Sequence, residues 1–277
     1  MNIEEIRKNW VNVADKDMDA SIKMWDSASI YYKEKPMPKW ESNDFLKDLN
    51  ATIELTKDMK VLDIGCGAGV YAIALAEKVG KVVGFDLSPK MIQFARERAQ
   101  KTGTDNVEFI AGDWDEFDVK KEKFEKNFDL VFAHMTPGIN NAETFEKMLA
   151  CSKKHCFLIK SARRKDFIMD QVIDLAGIEN NAETSDENII YAFQMLWELG
   201  YCPRFTCRQE EWDVEKPLEE AYIWYISRVK TYKNITEEEE TKLKDYLKSV
   251  AVEGKIHDKT STTVVTIYFQ LGSGGAL

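Results

Sequence analysis

The chain has 277 residues, 44% hydrophobic and 31% charged, with a formal net charge of −10. That length carries a packed core, as one large domain or a domain with additions, and the acidic balance disfavours nucleic acid and anionic membrane surfaces as partners. No apolar run approaches the roughly 18 residues of a membrane span, the opening MNIEEIRKNW lacks a signal-peptide apolar region, and five cysteines do not suit a secreted disulfide framework, so a cytoplasmic protein with reduced thiols is expected.

Residues 1–50 read as helices rich in aromatics (Trp10, Trp25, Tyr31, Tyr32, Trp40), broken at Pro36 and Pro38. Residues 60–160 then alternate short apolar strands with helical stretches: KVLDIG and VYAIALAEKV, VVGFD and SPKMIQFARERAQK, VEFIAGD, FDLVFAH, NAETFEKMLACS and CFLIK. Alternation at this spacing predicts a parallel sheet with helices on both faces. The continuous apolar runs fit strands buried on both sides. KSARRK (160–165) is the longest basic cluster and reads as a solvated loop. The block 161–199 reads as helical, with Gly177 and Gly200 at helix C-termini. Residues 201–212 look strand-like, Pro217 opens a helix, Thr236 and Glu239 form a capping box, and STTVVTIYFQL reads as a long final strand. GSGGAL (272–277) reads as a flexible tail. Cys151/Cys156 and Cys202/Cys207 each enclose four residues, which matches no common zinc pattern. These four are expected to be small buried apolar residues, and no metal is expected.

The chemistry concentrates in residues 60–113. One strand ends at Asp63, followed by Gly65, Gly67 and Gly69, and the next strand ends at Asp86. Glycines let the backbone approach a ligand closely, and ligands of open α/β sheets bind beyond the carboxyl ends of the strands. Asp86 is positioned to accept from a ribose diol. The spacing is G-x-G-x-G rather than the dinucleotide G-x-G-x-x-G. A carboxylate two residues before the first glycine suits a cationic ammonium and sulfonium better than a pyrophosphate. Asp113 can accept from an adenine amino group, and Trp114 can cover the ring face.

VLDIGCGAG, GFDLSPKMI and GDWDEFD together resemble the class I S-adenosylmethionine-dependent methyltransferases. MWDSASIYY (24–32) resembles the N-terminal cap of small-molecule members of that class. The resemblance implies a Rossmann-like, seven-stranded, mostly parallel sheet with its last strand antiparallel. It implies an N-terminal helical cap (1–50) and a methyltransferase domain (51–271) carrying a helical lid insertion at about 161–199. It also implies S-adenosyl-L-methionine as cofactor and S-adenosyl-L-homocysteine as product. Carried over, Asp63, Gly65, Cys66 and Gly67 would hold the methionine portion and Asp86 the ribose. Leu87 would pack on the adenine, with Met91 nearby, and Gly112, Asp113 and Trp114 would meet its edge and face. His134, Met135 and Thr136 would face cofactor and acceptor. The segment HMTP lacks the Asn/Asp-Pro-Pro-aromatic box of members that methylate nucleobases and glutamine amides.

His134 has two readings, a general base or a cofactor contact that moves no proton. Acceptor candidates are Tyr31, Tyr32, Met135, Thr136 and Tyr222, with Trp197, Tyr201, Trp212, Trp224 and Tyr225 as further aromatics of a lid or of a helical core layer. An aromatic-walled pocket suits a planar, apolar or cationic small molecule. The expectation is methyl transfer to a small-molecule acceptor by in-line displacement, with oligomeric state open. The competing readings are a non-catalytic cofactor- or partner-binding protein, a protein methyltransferase and a nicotinamide dehydrogenase.

Overall fold

The computed structural model describes residues 1–11, 18–178 and 186–272. Seven strands form one sheet: β1 (Lys60–Ile64), β2 (Lys81–Asp86), β3 (Val107–Ala111), β4 (Phe128–His134), β5 (Ser152–Asp166), β6 (Arg204–Pro217) and β7 (Lys255–Gln270). Their order is β3-β2-β1-β4-β5-β7-β6. β1 to β5 are mutually parallel, and β7 runs antiparallel between β5 and β6. This is the expected mostly parallel sheet with its last strand reversed. The strands β1, β2 and β4 are Val-, Leu- and Phe-rich because helices cover both of their faces.

One face carries α3 (Asp44–Thr52), α4 (Val70–Ala76) and α5 (Pro89–Thr102). The other carries α1 (Ile3–Asn9), α6 (Ala142–Cys151) and α8 (Glu187–Glu198). A third apolar cluster lies beyond the C-terminal edge of the parallel strands, where α7 (Phe167–Leu175), α9 (Leu218–Lys230) and α10 (Glu237–Val250) pack on the far end of β7. α2 (Met18–Glu34) leans on both α5 and α9. Among the described residues no helix is long and apolar enough to cross a membrane.

Several expectations need correction. KSARRK is no loop. It prolongs β5 past the neighbouring strand tips, with a bulge between Ala162 and Lys165 and Arg163 at φ 50°. A bulge absorbs the extra residue and twists the strand. The 161–199 stretch is not one lid. Its first residues are strand, α7 joins the third cluster, and α8 buries Ile189, Ala192, Met195 and Leu196 against the main sheet. Residues 1–50 are not one cap either, because α1 and α3 pack on opposite faces and only α2 overhangs the strand tips. The polar faces of α1 and α3 masked this, since amphipathicity alone does not say which neighbour a helix chooses. The capping box at Thr236 and Glu239 forms as expected. Cys151 and Cys156 are buried, but Cys202 and Cys207 are exposed, because Cys202 just precedes the edge strand β6 and Cys207 lies on its exposed stretch. Of the expected tail, 273–277 lie outside the described residues.

Candidate active site

β1 to β4 end level with one another, so their tips and the loops that follow meet in one place. Ile64 aligns with Phe85 on one side and Ala133 on the other, and Asp86 aligns with Ala111. Past Ile64 the chain turns sharply, with the amides of Gly65 and Cys66 both donating to the Phe85 carbonyl at 2.7 and 3.0 Å. Gly65 takes φ +75°, and a Cβ there would overlap the Thr136 side chain. Gly67 also has positive φ (+53°), yet nothing stands within 4 Å of where its Cβ would lie. The first glycine therefore serves the turn. The second leaves open room above the loop.

Asp63 is 1% exposed, and its Oδ2 has no hydrogen-bond partner. Burial, with the Asp86 charge added, holds its carboxyl well above the usual carboxylate range. A buried polar atom without a partner is uncommon and destabilising. A cationic group delivered to this spot would supply the missing partner. Cys66, 6% exposed, has its thiol raised by burial.

Asp86 is held by two amides, Gly67 on Oδ2 at 2.8 Å and Ser88 on Oδ1 at 2.9 Å. Burial raises its carboxyl despite these bonds, which act in the opposite direction. Each carboxylate oxygen retains a further acceptor site for a hydroxyl. Leu87 is partly exposed beside it, and Met91 is buried at the start of α5. On the neighbouring tip, the Gly112 amide donates to the Asp86 carbonyl (2.9 Å), and Asp113 accepts from the Asp115 amide through Oδ1 (2.9 Å).

Trp114, expected across an adenine face, is instead a core side chain. It is 4% exposed, sits 5.3 Å from the Phe85 ring, and donates its indole N–H to the Thr144 carbonyl at 3.1 Å. A buried indole needs such a partner, and the α6 backbone provides it.

At the tip of β4, His134 lies 4.4 Å from the Tyr71 ring and 5.0 Å from that of Phe45. Burial, helped by Arg208, lowers its pKa to about 3. The imidazole is therefore neutral near pH 7 and a poor proton acceptor, which removes the support for a general base. Met135 follows with φ 54°, a strained conformation for a residue with a side chain. That bend aims Thr136 at Gly65 and leaves the Met135 sulfur 3.9 Å from the Ser161 hydroxyl.

α2 roofs this ground. Its Asp26 accepts from the Ser88 hydroxyl at 2.5 Å and from the Lys90 amide at 3.3 Å. Tyr32 has its hydroxyl pushed up to about 12, first by burial, with Tyr31 and Asp86 adding and Arg164 opposing. Tyr31 is 43% exposed. Along β6 the half-buried face presents Arg208, Glu210, Trp212, Val214 and Lys216, and Trp212 lies 5.6 Å from the Arg164 guanidinium. Trp224 meets Trp25 edge-on at 5.9 Å. Other aromatics fall elsewhere. Tyr222 packs into the third cluster, Tyr225 is buried there with its hydroxyl on Asp258, and Trp197 (59% exposed) and Tyr201 belong to the α8 side. Two surface hollows, one along α10 at Glu237–Asp245 and one beside Gly200 and Gln270, also lie away from the strand tips. Sequence reasoning missed Asp26, although it lies within MWDSASIYY; a lone carboxylate amid small polar residues carries no signal of the helix end it will cap.

A methyltransferase-domain family model matches residues 55–241. A 23S rRNA uracil-C5 methyltransferase of Marinomonas posidonica is 30% identical over 100 residues, 34% of this chain and 23% of that one. A Haemophilus influenzae protein is 26% identical over 178 residues, 64% of this chain and 62% of that one. The chain thus spans less than two thirds of either curated relative. Among solved structures, a candidate methyltransferase from Bacillus halodurans C-125 superimposes with a TM-score of 0.52 at 20% identity, covering 82% of this chain and 98% of that one.

Proposed function

The chain belongs to the methyltransferase-domain family, and on that footing we propose that it takes S-adenosyl-L-methionine as donor and passes the methyl group to a small-molecule acceptor, leaving S-adenosyl-L-homocysteine. The observation that carries this reading is the Asp63 oxygen, buried and partnerless beside the glycine loop. The donor residues fit the cofactor on chemical grounds. Asp63 attracts its ammonium, and the open room above Gly67 admits its methionine portion. The remaining acceptor sites of Asp86 receive ribose hydroxyls, Leu87 and Met91 bound the adenine, and Asp113 with Gly112 meets the adenine edge.

When bound, the cofactor supplies a methyl already activated by its sulfonium. The chain's own work is then alignment and exclusion of water, which can lower a barrier substantially. α2 covers the strand tips with Tyr31 and Tyr32. Met135 and Thr136 fix the floor, and neutral His134 serves as a wall contact between Tyr71 and Phe45. A base is needed only for acceptors protonated at neutral pH. The roofed ground and the net charge of −10 support a small acceptor over an RNA. Tyr222 contributes through the third cluster rather than by facing the strand tips.

Calorimetry with S-adenosylhomocysteine and with NAD tests the cofactor: micromolar binding of the first and none of the second is expected, and the reverse would overturn the reading. A panel of small molecules, basic peptides and uracil-containing RNA, scored by S-adenosylhomocysteine release, then tests the acceptor. Turnover confined to RNA or peptide would sink the small-molecule reading, and tight binding without any turnover would favour a non-catalytic binding protein.

A further inference from the structure

α2 ends at Glu34, and Lys35 follows at once, beneath the tyrosines of its last turn. Its ammonium stands 4.4 Å from the centre of the Tyr32 ring and 5.1 Å from that of Tyr31. From β6, the Lys216 ammonium stands 5.7 Å from the same Tyr31 ring and 5.5 Å from the Trp224 ring. Two ammonium groups from distant parts of the sequence thus converge on one aromatic side chain. Both lysines are partly buried, and burial lowers both below the usual lysine value.

Neither lysine has a carboxylate within ion-pairing distance among the described residues. The acids that attract Lys216 from further off are Asp258, Glu220 and Asp166. Two of these are committed elsewhere, Asp258 to the Tyr225 hydroxyl and the Ile168 amide, and Asp166 to Arg164 and Thr260. Of the neighbouring arginines, Arg164 is paired with Asp166 and Arg208 with Glu210. Lys35 and Lys216 thus face aromatic rings rather than a carboxylate at ion-pairing distance, in a chain of net charge −10. An aromatic face offsets part of the cost of burying an ammonium, but it leaves the charge unanswered. Lys35 directly follows α2, whose Asp26 accepts from Ser88 just past the tip of β2.

We propose that Lys35 and Lys216 receive an oxyanion of the methyl acceptor, a carboxylate or phosphoryl group, with Tyr31 and Trp224 flanking the adjoining part of the molecule. This rests on the methyltransferase reading and names the substrate class. Lysine is a point charge with three rotatable donors, so the pair accepts either oxyanion, and it repels the cationic acceptor that the aromatic residues alone would suit.

The test titrates inorganic phosphate, benzoate and neutral benzamide into the full chain, with and without saturating S-adenosylhomocysteine, at constant ionic strength set by sodium chloride. The expected result is saturable binding of phosphate or benzoate, with benzamide at least about tenfold weaker. Lys35→Gln and Lys216→Gln should each weaken the anion about tenfold, as for loss of one charged hydrogen bond, while S-adenosylhomocysteine affinity holds. Tighter phosphate points to a phosphoryl acceptor, and tighter benzoate to an aromatic or apolar carboxylate. Equal anion binding by the wild type and the folded double variant, or benzamide matching benzoate, would overturn the proposal. If S-adenosylhomocysteine fails to bind the wild type, the methyltransferase reading falls, yet the titrations of the free chain still decide the lysine pair. Should a glutamine variant fail to fold, Lys35→Arg and Lys216→Arg keep the charge and should keep the anion.

Discussion

Asp63 works against folding while it waits for a partner. The unfolded chain ionises it near pH 3.8, whereas the folded chain holds its proton to well above that value. Folded chains thus bind more protons across the interval, and its contribution to stability falls as pH rises through it. Asp63→Asn keeps the shape and removes the charge. The ligand-free variant should melt a few degrees higher at pH 7, on the order of a 1 kcal/mol gain, and bind S-adenosylhomocysteine at least about tenfold more weakly. Melting curves and calorimetry check both halves, and undiminished affinity would mean that Asp63 does not meet the ammonium. The identity of Asp63, Asp86 and Asp113 was legible in the sequence because each ends an apolar run. The isolation of the Asp63 oxygen was not, because its neighbours across the sheet, Gly84 and Phe132, arrive on separate strands.

Helix α2 is held to α5 at two places. Asp26 caps the start of α5 through Ser88 and Lys90, and Arg98 near its end donates to the carbonyls of Tyr32 (3.1 Å), Lys33 (2.6 Å) and Lys35 (3.0 Å). Orphan carbonyls at a helix C-terminus are commonly answered by a cationic side chain, here from a neighbouring helix. Arg98→Met should leave α5 intact, free the last turn of α2, and cost roughly 1–3 kcal/mol. Hydrogen exchange should quicken at residues 30–35 while α5 stays protected. Acceptor affinity should fall more than S-adenosylhomocysteine affinity, because only the roof is loosened. Uniform exchange across both helices would show that Arg98 supports α5 itself. The helix was predictable from composition. Its partners were not, since no local pattern distinguishes α2, which overhangs the strand tips, from α1 and α3, which pack beneath the sheet faces.

At the scale of the molecule, β5, β6 and β7 run past the other strands and carry a second core of α7, α9 and α10. Between that core and the main sheet, Lys35 and Lys216 share the Tyr31 ring, and Arg164 lies over Trp212. His134 is held neutral down to about pH 3, whereas the unfolded chain protonates it near 6.5. Between those values protons favour the unfolded state, so stability falls as pH drops through the window. Denaturant melts at pH 7 and pH 5 should give a smaller loss for His134→Phe than for the wild type. An equal loss would place the histidine in solvent. The rate of methyl transfer should also lack an inflection near pH 6.5 from this residue.

The sequence by itself determined the alternation of strands and helices, the carboxylates at three strand tips and the glycine turn, because each rests on contacts within a few residues. It also held the resemblance that names the cofactor. Tertiary structure alone decided that Trp114 belongs to the core, that β5 continues through a basic segment, and that His134 is neutral. It alone brought Lys35 and Lys216 to one ring across 180 intervening residues. Burial and charge balance are sums over neighbours, and neighbours far apart in sequence exist only once the chain has folded.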